Sequence, residues 1–240
     1  MNKFIFKLKK LLPLAVIVAL FTSTATYDDC TAFFPMDEGQ TFEITHYDKK
    51  DKIVSRTEYE VIGKILIDNG ISSTIKMKSY DKKDKDLMDS EFNVSCEGGI
   101  FKVDIRSLMS GAQLQQMSSM NNMDVSVETD DLEIPSNLSV GDKLDDGSLR
   151  MEVNTEGGAM TMMSMTTNVT NRKVVGQEKM TTPAGTFDCY VITSDVQSKM
   201  SFMNFQLSTK DWIAKDVGLV KSESYRKGKL EGYSLLTKFN

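Results

Sequence analysis

A repeated polar segment constrains the fold of this chain more than any other feature. Tyr47 to Lys52 reads Tyr-Asp-Lys-Lys-Asp-Lys, and Tyr80 to Lys85 repeats these six residues 33 positions later. A shorter relative, Tyr225 to Lys229, lies near the end of the chain. Polar turns between runs of alternating apolar and polar residues are typical of antiparallel hairpins with half-buried strands. The repeat therefore predicts β-architecture and does not indicate a reaction.

The same alternation covers most of the chain, with turn residues between the runs. We predict strands at 40–48, 53–67, 71–80, 87–96, 100–105, 148–154, 159–175, 186–199, 202–213, 218–225 and 230–239. The predicted fold class is mainly β, a curved antiparallel sheet or incomplete β-barrel of about 11 to 12 strands.

One segment departs from the strand pattern. Its apolar residues fall on one side of a helical wheel: Met109, Ala112, Met117, Met120 and Met123. We therefore predict one amphipathic helix over residues 107–120, packed through its methionines on the concave side of the sheet. Residues 130–139, which include Pro135, are interpreted as the connection to the second half.

The N-terminus has the features of an export signal. Four lysines flank the apolar run from Leu11 to Phe21, and Ser23-Thr24-Ala25 follows. That run is shorter than the roughly 20 residues needed to span a bilayer. We predict a signal peptide over residues 1–25, no transmembrane anchor in the mature chain, and a location in the periplasm, outside the cell or in the envelope. Asp29 precedes Cys30 where a lipoprotein cleavage site needs a small neutral residue, which disfavours lipid anchoring.

Residues 26–240 are predicted to form a single β domain. Its parts are an N-terminal hairpin meander (26–105), the helix and connection (106–139) and the C-terminal strands (140–240). A length of this order suits one all-β unit, because such domains commonly reach about 200 to 250 residues.

The charge of the chain excludes one class of partner. It carries 29 basic and 34 acidic residues and a formal net charge of −5. The first 25 residues hold four lysines and no acid, so their removal takes the net charge to −9. A field of that sign repels phosphate backbones, and we predict no nucleic-acid partner.

Three cysteines would enter an oxidising compartment, which suggests one disulfide and one remaining thiol. Three pairings are open, and we favour Cys30 with Cys96 because both belong to the N-terminal sheet. The alternative is that Cys96 and Cys189 are small buried side chains in strands. No two cysteines are close in sequence, and the only histidine, His46, has no neighbouring metal ligand, so we predict no metal site.

Catalysis is not indicated. His46 would need a nucleophile and an orienting carboxylate to act as a base, and the chain has no Gly-x-Ser-x-Gly motif. The pairs Asp28-Asp29, Asp130-Asp131 and Asp145-Asp146 are adjacent in sequence, which in a strand points the two carboxylates to opposite faces. We predict a protein that is not an enzyme, with no catalytic residue and no cofactor.

The chain has 16 methionines, and four of them lie within residues 160–165. Thioethers can bind Cu(I), but alternation directs Met160 and Met162 to one face and Met163 and Met165 to the other, which disfavours a copper site. Methionine side chains adapt to irregular apolar spaces. They therefore predict either a core or a cavity, and the candidate residues lining a cavity are Met109, Met117, Met120, Met163 and Met165.

Three segments carry a family resemblance. Cys30 to Gly39, Thr182 to Tyr190 and Asp211 to Lys221, in this order around a methionine-rich middle, resemble the TapB-like family of exported bacterial proteins over nearly all of residues 26–240. The resemblance implies a sheet similar to the half-open barrels of periplasmic lipoprotein carriers, and it brings no catalytic residues. Ligand carriage follows only by analogy of fold.

The leading hypothesis for function is non-catalytic binding of an apolar or lipid-like ligand in the cell envelope. The alternative is a structural or assembly protein of the envelope that acts through contacts with another protein. A cavity between helix and sheet would favour the first hypothesis, and a stoichiometric protein partner would favour the second.

Overall fold

The computed structural model describes residues 32–103, 123–155, 160–200 and 203–240, and within these ranges thirteen strands form one antiparallel sheet. The first seven are β1 (Thr41–Asp48), β2 (Ile53–Ile67), β3 (Gly70–Asp81), β4 (Asp86–Glu97), β5 (Ile100–Val103), β6 (Met123–Asp130) and β7 (Leu132–Pro135). The other six are β8 (Gly147–Thr155), β9 (Thr161–Thr182), β10 (Gly185–Met200), β11 (Met203–Ala214), β12 (Gly218–Arg226) and β13 (Lys229–Phe239).

Two consecutive strands carry the two ends of this sheet. The strand order is β6-β8-β9-β10-β11-β12-β13-β1-β2-β3-β4-β5-β7, and only Asp131 separates β6 from β7 in the chain. β6 pairs with β8, whereas β7 pairs with β5. The sheet must therefore curl until its ends meet, and the result is a nearly closed antiparallel barrel.

The predicted fold class needs correction. The sheet has 13 strands in a nearly closed barrel instead of about 11 to 12, and no helix occurs in the described residues. Met123, assigned to the helical stripe, begins β6, and part of the expected connection forms β7. The segment from Met123 to Asp130 alternates with period two and contains Val125 and Val127, which favour a strand. Residues 107–120 lie outside the described residues.

The repeat forms two turns of the same structure. Asp48 Oδ1 accepts hydrogen bonds from the main-chain N–H groups of Lys50 and Lys52, at 2.8 and 3.0 Å. Asp81 Oδ1 accepts from Lys83 and Lys85 in the same way, at 2.7 and 3.0 Å. These hydrogen bonds hold the pKa of both aspartates below its usual value. The shorter copy is a two-residue turn, in which Lys227 and Gly228 have φ of 50° and 75°.

All three copies lie at one end of the barrel, because alternate turns of an antiparallel meander meet at the same end. Side chains link them. Tyr233 Oη donates to Asp51 Oδ1 at 2.8 Å, and Arg56 Nε donates to Asp84 Oδ1 at 3.0 Å. We call this end, with the turns 48–52, 81–85 and 226–229, the mouth.

Residues 32–37 cover the opposite end, which we call the floor. Asp216 N donates to the carbonyl of Ala32 at 2.8 Å, and Ser73 Oγ donates to that of Met36 at 2.9 Å. Phe33 is only 2% exposed and belongs to the main core cluster. The segment before β1 thus inserts its apolar side chains into the barrel and closes it from below.

Candidate ligand-binding cavity

A cavity of about 450 Å³ lies inside the barrel above Phe33 and Phe34, and we call it the barrel cavity. Its size is within the range of small-molecule sites, roughly 300 to 1,000 Å³. Most lining residues are aromatic or aliphatic: Phe33, Phe34, Phe42, Ile44, Tyr59, Met77, Phe92, Val103, Leu132, Ile134, Val169, Ile192, Val196, Ile213 and Leu219. The remaining ones are polar: Arg172, Ser194, Thr209 and Asp211. The surface is therefore apolar with a small polar part.

Aromatic rings form a connected group in the lower wall. Phe34 stacks on Phe101, with ring centroids 5.8 Å apart, and meets Phe42 edge to face at 5.3 Å. Phe42 in turn stacks on Tyr59 at 4.5 Å. Burial raises the pKa of Tyr59 to about 12, so its phenol is neutral at physiological pH. Such ring pairs stabilise the wall beyond the area that they bury.

The four polar lining residues form one strip across three neighbouring strands, β9, β10 and β11. Thr209 pairs with Ser194, and Asp211 pairs with Ile192. The register between β9 and β10 shifts at Thr193 to Asp195. We call Arg172, Ser194, Thr209 and Asp211 the polar strip.

A β-bulge turns Arg172 into the cavity. Val169 faces the cavity, and plain alternation would send Asn171 inward and Arg172 outward. Asn171 instead adopts a left-handed conformation with φ of 54°, and its Nδ2 donates to Asp195 Oδ2 at 2.8 Å. A bulge of this kind adds one residue to a strand and reverses the side on which the next side chains lie. Arg172 therefore points inward.

The main chain and the side chain of Arg172 are both held. Leu144 N donates to the Arg172 carbonyl at 3.0 Å, and the guanidinium Nη1 donates to the carbonyl of Asp145. Arg172 is 5% exposed, and burial lowers its pKa, opposed by the carboxylates of Asp145, Asp146 and Asp211. None of the ion pairs among the described residues includes Arg172.

Asp211 is the acidic member of the polar strip. Ser222 Oγ donates to its Oδ1, and Thr209 Oγ1 donates to its Oδ2 at 3.0 Å. Burial raises the pKa of Asp211, while the two hydroxyl groups and the charge of Arg172 act in the opposite direction. Both carboxylate oxygens are thus engaged by protein hydroxyls.

Met163 and Met165 lie on β9, on the same face as Val169 by alternation, closer to the mouth. Met165 pairs with Met151 on one side and Met200 on the other. Neither methionine lines the barrel cavity, and their contact with a ligand stays a prediction. Met109, Met117 and Met120 lie outside the described residues.

Sequence reasoning did not find the polar strip. Arg172 and Asp211 lie in strands that we read as ordinary, and 39 positions separate them in the chain. Asn171 before Arg172 was the available signal, since Asn tolerates the left-handed conformation that a bulge needs. It does not show which side chain points inward.

The other predicted features lie elsewhere. Cys96 is 1% exposed in β4, and Cys189 is a free, buried thiol, whereas Cys30 lies outside the described residues. The pairing of Cys30 with Cys96 stays a prediction.

His46 Nδ1 lies 2.7 Å from Ser234 Oγ on the paired strand, and burial lowers the pKa of His46. In the part of the chain that the structure describes, no group of three or more potential metal ligands occurs.

Among the residues that the structure describes, none forms a helix long and apolar enough to cross a membrane.

The fold and the cavity define a class of protein, an all-β barrel with an internal apolar cavity. A family model described as DUF3108-like matches residues 37–236, and the chain belongs to this family. The TapB-like assignment is not confirmed by this match.

Two solved structures share the fold. One is a protein described as exported, with a YmcC-like fold, from Bacteroides fragilis, with 24% identity and a TM-score of 0.70. The other is described as a lipoprotein from Parabacteroides distasonis, with 21% identity and a TM-score of 0.70. Each comparison covers 88% of this chain and 100% of the other. The comparison with curated proteins finds no match.

Proposed function

We propose that this protein binds an apolar or lipid-like ligand in its barrel cavity and carries out no catalysis. One observation carries the proposal: a space of about 450 Å³ lined mainly by aromatic and aliphatic side chains. Ligand sites are typically concave, mostly apolar and provided with a few polar groups that orient the ligand. The barrel cavity has all three properties.

The location in the cell envelope is part of the proposal. The basic and apolar N-terminal run supports it, as do the descriptions of the two structural neighbours as exported protein and lipoprotein. An envelope protein meets lipids and other apolar molecules that need shielding from water. Mass spectrometry of the protein from its own envelope checks both points, through the mass of the mature N-terminus and the mass of a bound ligand.

Uptake of a neutral fluorescent probe, N-phenyl-1-naphthylamine, tests the cavity directly. The wild-type protein should bind it saturably with increased fluorescence. Val196→Trp places an indole ring in the cavity, and we expect affinity to fall by about tenfold or more, because the ring occupies volume that the probe needs.

Gln197→Trp is the matched control, because it adds the same side chain to the opposite face of the same strand. It should bind the probe as the wild-type protein does. Absence of saturable uptake by folded wild-type protein, or equal uptake by both variants, would refute the proposal.

A second candidate function is contact with an envelope protein, and the mouth favours it. Ile53 and Val54 are each 51% exposed beside one turn of the repeat, and Leu87 is 59% exposed beside the other. Contiguous exposed apolar side chains often mark an interaction surface, and Ile53 and Val54 are adjacent in the chain. Stoichiometric co-purification of a partner that Leu87→Ser or Val54→Ser abolishes would support this function, and no retained partner under mild extraction would count against it.

A further inference from the structure

The polar strip lies within an otherwise apolar wall. This placement favours a ligand that has both a polar group and an apolar part. Burying a guanidinium among aromatic and aliphatic side chains costs free energy unless its N–H groups are bonded. Here the bulge at Asn171 turns Arg172 inward, and the hydrogen bonds to Asp195, Leu144 and Asp145 hold that arrangement. The barrel therefore maintains a buried cation in contact with the cavity.

We propose that the cavity binds amphiphiles with an acidic head group, and that Arg172 binds this head group while the aromatic wall takes the apolar chain. The inference rests on the proposed function, since it assumes that the cavity takes a ligand. It names the chemical class of that ligand, a carboxylate at the end of an alkyl chain.

The balance of donors and acceptors favours an anion over a cation. Arginine has five N–H donors, and within the described residues the guanidinium of Arg172 makes one hydrogen bond, to a main-chain carbonyl. The oxygens of Asp211, in contrast, already accept from Ser222 and Thr209. The strip thus offers donors to the cavity, and a carboxylate supplies acceptors in the geometry that a guanidinium binds in bidentate fashion.

Four carboxylates act on Arg172: Asp145, Asp146, Asp211 and Glu133. Asp211 is the one that lines the cavity. Its charge opposes an anionic head group, so removing it should change affinity in the direction opposite to removing Arg172. These two opposite changes distinguish an acidic from a basic ligand.

Displacement of N-phenyl-1-naphthylamine by three ligands with the same chain tests the proposal: dodecanoate, 1-dodecanol and dodecylammonium. We expect dodecanoate to compete at concentrations about tenfold or more below those of 1-dodecanol, because hydrogen bonds to charged groups are worth more than neutral ones. Dodecylammonium should be the weakest competitor.

Arg172→Met should abolish the preference for dodecanoate over 1-dodecanol, taken as the ratio of the two competing concentrations within each variant, and Asp211→Asn should increase this ratio. Lys229→Met removes an exposed charge at the mouth and should change neither. If Arg172→Met does not fold, the acid-to-alcohol ratio of the wild-type protein decides alone.

Equal competition by dodecanoate and 1-dodecanol in the wild-type protein, or a preference that survives in Arg172→Met, would overturn the head-group assignment. Both results leave probe uptake in place, and the proposed function with it. Absence of probe uptake by the wild-type protein would instead refute the proposed function. The two failures are therefore distinguishable.

Discussion

Phe33 meets Tyr190 edge to face, with ring centroids 5.8 Å apart and ring planes at 85°. Phe33 precedes the first strand and Tyr190 lies in β10, so this contact joins the start of the described chain to a strand four positions away from β1 in the sheet. The floor is therefore built by a segment that forms no strand, and we expect the stability of the barrel to depend on its insertion.

Replacing Phe33 with Ala tests this dependence. We expect the free energy of unfolding to fall by about 3–5 kcal/mol, since Phe33 is 2% exposed and a large buried side chain leaves a cavity. Denaturant unfolding followed by intrinsic fluorescence measures the change. Ile65→Ala, at a site 63% exposed, is the control and should stay within about 0.5 kcal/mol. Equal effects of both substitutions would show that the floor is not a structural element.

Glu43 should make stability dependent on pH. Burial by itself raises the pKa of Glu43, but hydrogen bonds from Lys238 and Thr237 and the charges of Lys238 and Arg56 outweigh it, and the pKa lies below its ordinary value of 4.5. The native state therefore favours the ionised form. The stabilisation is fully present above pH 4.5 and is lost as the pH falls through the lowered pKa of the folded state.

Glu43→Gln should accordingly lower stability at pH 7, by about 1–3 kcal/mol, and the difference from wild type should shrink as the pH falls below 4.5. Chemical denaturation between pH 3 and pH 7 measures it, with the exposed Glu60→Gln as the control. A difference that does not vary with pH would argue that Glu43 contributes packing rather than charge.

Cys189 should react slowly with thiol reagents. It is 2% exposed, and burial, followed by the charges of Asp188 and Glu178, raises its pKa to about 11. The thiolate is the reactive form, and it is scarce at pH 8. Iodoacetamide should therefore modify Cys189 in urea much faster than in the native protein, as measured by peptide mass spectrometry. If Cys30 and Cys96 are paired, they stay unmodified until a reductant is added; rapid native labelling of any cysteine would contradict this account.

Removing the aspartate of one repeated turn should reduce the protection of its amides from hydrogen exchange without affecting the other turn. Asp48→Ala deletes the acceptor for the N–H groups of Lys50 and Lys52. Hydrogen exchange at these two amides should accelerate, while Lys83 and Lys85 in the other copy keep wild-type rates. NMR measures both turns in one sample. Unchanged exchange at Lys50 and Lys52 would show that the turn is held by other contacts.

The stability of variants at position 171, in the bulge beside the polar strip, should depend on how well the new residue tolerates a positive φ. Asn171 has φ of 54°, which Gly adopts freely and a β-branched residue does not. We expect Asn171→Val to cost roughly 1–2 kcal/mol more than Asn171→Gly, by thermal or chemical unfolding. Val is the better strand former, so a more stable Val variant would mean that the bulge is not needed.

Much of the fold was predictable because strand patterns are local. The alternation in residues 53–67 and in 218–225, with polar turns beside them, predicted strands close to β2 and β12. The prediction failed around Met123, where methionines at helical spacing run into the start of β6. Period two and period 3.6 overlap over short stretches, and pairing with β8 decides between them.

The candidate site was less predictable than the fold. Aromatic residues such as Phe34 and Phe42 are visible as apolar positions, but their meeting at 5.3 Å depends on the floor segment entering the barrel. Arg172 could not be predicted as a site residue, because its side chain points into the barrel only as a result of one extra residue in β9.

Local chemistry in the sequence alone determined eleven of the strands, the turns of the Tyr-Asp-Lys repeat and the acidic balance of the chain. Only the tertiary structure decided that β6 and β7 close the barrel, that Phe33 fills its floor and that Arg172 and Asp211 face one cavity. The physical reason is the distance along the chain over which each effect acts. Propensity and alternation act between neighbours in the chain, whereas closure, burial and the bulge depend on pairing between strands that are distant in sequence.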